Sequence, residues 1–94
     1  MDPLLQHHRE AIVRIARRHG AHHVRVFGSR GRGDATEHSD VDLLVEAGPE
    51  RSFFFPGGLV ADLEALLGCR VEVVTEDALH PALRDQVLRE AVPL

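Results

Sequence analysis

The sequence predicts an α/β layer in which a small mixed β-sheet of about three to four strands is flanked by helices. Two observations carry this. Stretches with apolar residues at helical spacing alternate with apolar runs too short to be helices, and glycine or proline stands at most of the changes between them. No internal repeat, low-complexity tract or linker interrupts the pattern, so residues 1–94 read as a single domain.

The first element is a helix. Asp2 can cap it, Pro3 suits its first turn, and Leu4, His8, Ala11, Ile12, Ile15, Ala16 and His19 fall on one side before Gly20 ends it. His22 to Phe27 then alternates around Val24 and Val26, as a strand with one buried face does, and stops at Gly28. The run Gly28-Ser29-Arg30-Gly31-Arg32-Gly33 is too rich in glycine for a long helix and too basic for a core. It is expected to be a loop with room for one helical turn.

Val41 to Val45, an apolar run broken by Asp42, fits a second strand, which Gly48-Pro49 closes. A second amphipathic helix carries Leu59, Val60, Leu63, Leu66 and Leu67 on one stripe, leaves Asp62 and Glu64 outside it, and terminates at Gly68. Val71 to Thr75 is the third strand. Leu79 to Ala91 reads as a last helix, with Pro81 in its first turn and Leu83, Val87, Leu88 and Ala91 facing inward.

Composition narrows the function. A 94-residue chain with 44% hydrophobic residues can bury a modest core without disulfides. Its single Cys69 supplies neither a disulfide framework nor a Cys-pair zinc site and reads as a small, at least half-buried side chain. No apolar run is long enough to span a membrane and the N-terminus is polar, which gives a cytoplasmic protein as the default expectation.

A net charge of −4 argues against a broad, sequence-independent grip on nucleic acid. Arg9, Arg14, Arg17 and Arg18 of the first helix are read as a solvated face. All 11 basic residues are arginine, so a lysine-dependent phosphate loop is excluded. The 7 histidines include the adjacent pairs His7-His8 and His22-His23, whose members point in different directions, and they are expected at the surface rather than on a metal. In Phe53-Phe54-Phe55 at least one ring should pack inward and the others could form a contact site.

The chemistry concentrates in two places. Asp40 and Asp42, two apart at a strand entrance, emerge on one face and can converge on a cation such as magnesium, which favours carboxylate and phosphate oxygens. Alone, such a pair is more often a solvated strand entrance. Upstream, however, Gly28 follows a strand directly and lets backbone amides approach an anion, with the Ser29 hydroxyl as a further donor and Arg30 and Arg32 adding positive charge.

Gly28-Ser29, ten intervening residues and Asp40-Val41-Asp42 resemble the signature of the DNA polymerase beta nucleotidyltransferase superfamily. The wider run GSRGRGDATEHSDVDLLVE is similar to its minimal nucleotidyltransferase, or MNT, branch, and the likeness extends through the Leu-Gly-Cys-Arg-Val-Glu-Val-Val-Thr run to nearly the whole chain. The resemblance implies a nucleotidyltransferase fold in which Gly28 and Ser29 hold the triphosphate of ATP while Asp40 and Asp42 bind magnesium ions. A third carboxylate normally completes the set, and Glu72 stands where the family usually has Asp. It would serve as metal ligand or as the base that accepts the acceptor's proton, and Arg30 would neutralise charge on the leaving phosphates.

The resemblance further implies an antitoxin partnered in a hetero-oligomer with a helical HEPN-domain ribonuclease toxin, to which it transfers AMP on a tyrosine. This chain has no tyrosine of its own. Two other readings stay open: a non-catalytic module that silences its partner by occlusion, and transfer of a nucleotide to a small molecule. Neither requires direct nucleic-acid or membrane contact.

Overall fold

The computed structural model describes residues 1–94. Helices α1 (Pro3–His7) and α2 (Arg9–Arg18) lead into strand β1 (Ala21–Phe27), followed by a short helix α3 (Gly28–Arg32), strand β2 (Val41–Ala47), helix α4 (Gly57–Leu67), strand β3 (Val71–Thr75), helix α5 (Pro81–Glu90) and the two-residue strand β4 (Val92–Pro93). The four strands form one mixed sheet in the order β3-β2-β1-β4. β1 runs antiparallel to both β2 and β4, and β2 runs parallel to β3 through the α4 crossover. The predicted fold class is the observed one.

One face of the sheet carries the main core. Val24 and Val26 of β1, Val41, Leu43 and Val45 of β2, and Val71 and Val73 of β3 pack with Leu5, Ile12 and Ala16 of the N-terminal helices and Leu59, Leu63 and Leu67 of α4. Period-2 alternation turns the intervening residues, Asp42 and Glu72 among them, to the other face. Leu44 and Val87 are buried outside that cluster, so this second face is covered as well. α5 helps to cover it, lying against α3 and linked to it by an ion pair between Arg32 and Glu90. Cys69 is half-buried against the main core, as its isolation in the sequence suggested.

Three local expectations need correction. The first helix is broken at His8, whose backbone (φ −102°, ψ 11°) leaves the helical region, although His8 still donates to the Leu4 carbonyl and accepts from Ile12. The glycine-rich segment takes up the helical turn allowed for it, from Gly28 to Arg32, and Gly33 (φ 88°) ends it in the left-handed conformation with its amide on the Ser29 carbonyl at 3.0 Å. On α5, Val87 is buried but Leu83 is 55% exposed, since the helix covers only part of the second face. Finally, Arg30 lies in the interior at 5% exposure, where a basic loop was expected to be solvated.

Arg30 is buried because every part of its guanidinium finds an acceptor. Nη1 donates to both carboxylate oxygens of Asp2, at 3.0 and 3.2 Å. Nε and Nη2 donate to the Ser39 carbonyl at 3.1 and 2.8 Å, and Nη2 also reaches the Glu37 carbonyl at 3.4 Å. Asp2 in turn caps α1 through the amides of Leu4 and Leu5. One side chain thus joins the start of α1, helix α3 and the turn that delivers Asp40.

Lysine, with a single ammonium on a flexible stem, cannot reproduce this fork. Arg30→Lys is therefore expected to cost about 2 to 3 kcal/mol by leaving buried acceptors unmatched. Urea denaturation measures it, and a loss below about 0.5 kcal/mol, the level of an ordinary surface substitution, would refute the anchoring role.

Candidate active site

Three strands bring the candidate residues into one row. Phe27 of β1 pairs with Asp42 of β2, and Asp42 pairs with Glu72 of β3, so Asp42 and Glu72 stand side by side on the second face of the sheet. Asp40 lies just before β2 and is exposed, as is Glu72, while Asp42 is half-buried. Gly28 follows Phe27 directly and touches the same carboxylate: a Cβ placed on Gly28 would collide with Oδ2 and Cγ of Asp42.

Gly28 also has φ +69°, a region that side chains strain to occupy. A second glycine supports the approach, because a Cβ on Gly31 would sit 2.9 Å from the Val26 carbonyl and push α3 off β1. Gly28→Ala is therefore expected to displace the Asp42 carboxylate, lowering magnesium-dependent nucleotide affinity by about tenfold or more with only a modest loss of melting temperature. Calorimetry and thermal melts read the two effects separately, and unchanged affinity would show that the close approach is unimportant.

The start of α3 has no side-chain cap, Phe27 being its N-cap residue. Its first amides have no partners within the helix, and Ser29 is half-buried among them. Positive charge comes from Arg32 rather than Arg30. Arg32 is exposed, bonded to Asp34 at 3.3 Å and to Glu90 at 3.5 Å, and its charge acts on Asp42. Arg30, committed to Asp2 and two carbonyls, has no donor left for a phosphate, which corrects its assignment as a nucleotide contact. The signal that separates the two arginines is burial, which local sequence does not reveal.

The electrostatics mark Asp42. Its carboxyl is held above the ordinary value of 3.8, first by burial and then by repulsion from Glu72 and Asp40, while Arg32 opposes the shift. Burial and the two neighbouring carboxylates both disfavour its charged form. The donors of the site are all carboxylate oxygens, the set that magnesium takes together with phosphates and water. The three acids do not close into a ready three-ligand cluster. Three of the histidines are engaged elsewhere: His19 pairs with Asp62 at 2.7 Å, His23 with Glu46 at 3.2 Å, and His22 with Glu50.

Residues 8–94 match the family model of the nucleotidyltransferase domain. The chain belongs to that family. This nucleotidyltransferase is 42% identical over 78 residues to protein adenylyltransferase MntA of Thermococcus cleftensis, which spans 83% of this chain and 79% of the relative. A solved structure of a "putative minimal nucleotidyltransferase" is 52% identical and superposes with a TM-score of 0.83 over 100% of this chain and 97% of its own. A crystal structure of the toxin-antitoxin MntA-HpeT in mutant form is 25% identical, with a TM-score of 0.73 over 92% and 70% of the two chains. Family membership makes this nucleotidyltransferase an enzyme of the transferase class.

Proposed function

We propose that this enzyme is a protein adenylyltransferase and the antitoxin of a HEPN/MNT toxin-antitoxin pair, transferring AMP from ATP to a tyrosine of the HEPN ribonuclease in a magnesium-dependent reaction. The observation that carries the reading is the row of Asp42 and Glu72 on adjacent strands, with Asp40 beside them and the uncapped Gly28-Ser29 turn packed against the Asp42 carboxylate. Similarity to a relative named as a protein adenylyltransferase and to a toxin-antitoxin structure supports the choice of acceptor.

In this reading the acceptor hydroxyl oxygen attacks the α-phosphorus, the bond to the β-phosphate oxygen breaks, and pyrophosphate leaves. Asp40 and Asp42 would hold magnesium. When bound, the metal supplies neutralising charge to the triphosphate and to the attacking and leaving oxygens. Glu72 accepts the hydroxyl proton, the first-turn amides and Ser29 orient the phosphates, and Arg32 offsets charge at their edge.

Occlusion without catalysis is a second reading with its own observation. Phe53 and Phe54 are 95% and 79% exposed and stacked edge to face at 5.1 Å, while Phe55 packs on the core and anchors the loop. An aromatic pair held out in this way suits a protein contact. Incubating the purified HEPN partner with enzyme, ATP and magnesium, followed by mass spectrometry, separates the two readings. Added AMP groups on tyrosine are expected; a partner that binds and stays unmodified would leave occlusion as the function.

A further inference from the structure

A second surface, away from the carboxylates, is strongly charged. Arg9, Arg14, Arg17 and Arg18 of α2 line a groove of about 880 Å³ together with Glu10 and two apolar residues, Val13 and Leu94. None of these four arginines is in an ion pair, whereas most of the other basic side chains near the sheet are. Glu10 is the only acid on the rim. In a chain of net charge −4, four unpaired cations on one ten-residue helix are a marked segregation of charge.

We propose that this groove, between α2 and the C-terminal residues that form the sheet edge, docks an acidic amphipathic helix of a partner protein. The inference does not depend on the transfer reaction. Its occupant must be apolar along one stripe, to cover Val13 and Leu94, and negative on the flanks, to meet the arginines. A helix suits the groove better than an added strand. The edge strand β4 is two residues long and one of them, Pro93, has no N–H to donate. Leu94 already gives its amide to the Val24 carbonyl at 3.0 Å.

Nucleic acid fits less well, because no aromatic side chain lines the groove as a platform for bases and a chain of net charge −4 opposes the approach of a long polyanion. A second copy of the chain also fits poorly. Helix α5 mixes Arg84 and Arg89 with its acids, and on α4 Glu64 is engaged with the Val71 amide, so neither offers an acidic stripe.

The test uses the full chain and a fluorescein-labelled helical peptide with leucines at helical spacing and glutamates on both flanks, beside a version with lysine at every glutamate. Fluorescence anisotropy should detect binding of the acidic peptide that weakens as salt rises from about 50 to 300 mM, and weaker binding of the lysine peptide by about tenfold or more. Arg14→Glu with Arg17→Glu should lower affinity for the acidic peptide by a similar factor, and Val13→Ser should lower it less and without changing the salt dependence. Circular dichroism of both variants checks the fold. Three results would overturn the proposal: no binding of the acidic peptide to the wild type, equal binding to the charge-reversed variant, or tighter binding of single-stranded oligouridine RNA through the same arginines.

Discussion

Changing Asp40→Asn and Asp42→Asn together is expected to slow nucleotide transfer on the order of 10³-fold or more, because several kcal/mol of metal-based stabilisation disappear with the two carboxylates. The same change should make the ligand-free protein more stable. Asp42 sits half-buried beside Glu72 and Asp40, and burial followed by their repulsion raises its pKa. A carboxyl whose folded pKa lies above its unfolded value binds its proton more tightly in the native state. Its favourable contribution is therefore present at low pH and is lost as pH rises from the ordinary 3.8 through the raised value.

Near neutrality the charged Asp42 is a burden on the fold, lightened by solvent because the group is partly exposed. The amide variant escapes it, and its melting temperature in EDTA should exceed that of the wild type near neutrality, with the gap closing as pH falls toward the ordinary carboxylate range. Magnesium and ATP should raise the melting temperature of the wild type and leave the variant unmoved. Equal magnesium-dependent nucleotide affinity in the two proteins would remove the aspartates from the site.

What the sequence made legible follows the reach of each interaction. The placement of Gly28, Asp40 and Asp42 was readable because it is local: a glycine after a strand, and two carboxylates at period 2. The main helices and the first three strands were readable for the same reason. Arg30 was not, since its partner Asp2 lies 28 positions away and nothing near Arg30 announces a buried acceptor. Helix α3 was legible only as room for one turn, because glycines oppose a helix intrinsically yet are needed where α3 closes on Val26 and Asp42. Leu83 obeyed helical periodicity, but periodicity does not say how much sheet the helix has to cover. Glu72 is an intermediate case. Its position in a strand was visible, whereas its place next to Asp42 depends on the parallel register that pairs Val41 with Val71.

That register makes Glu72 the residue whose substitution best tests the proposed mechanism. Glu72→Gln should keep nucleotide and partner binding but reduce AMP transfer by about 10²- to 10⁴-fold, because the amide has nearly the same shape and cannot accept the acceptor's proton. Glu72→Asp asks a finer question. The shorter chain keeps the charge on the same strand position beside Asp42 but withdraws it by about one methylene, and ångström-scale misplacement can cost orders of magnitude in rate. If the longer side chain is merely tolerated, Asp will sustain or raise transfer; if the site has adapted to Glu, transfer will fall while nucleotide affinity holds. Single-turnover rates on the purified partner, counted as AMP groups by mass spectrometry, distinguish these outcomes. Full activity in Glu72→Gln would show that Glu72 carries no proton and that Asp40 and Asp42 act without a third carboxylate.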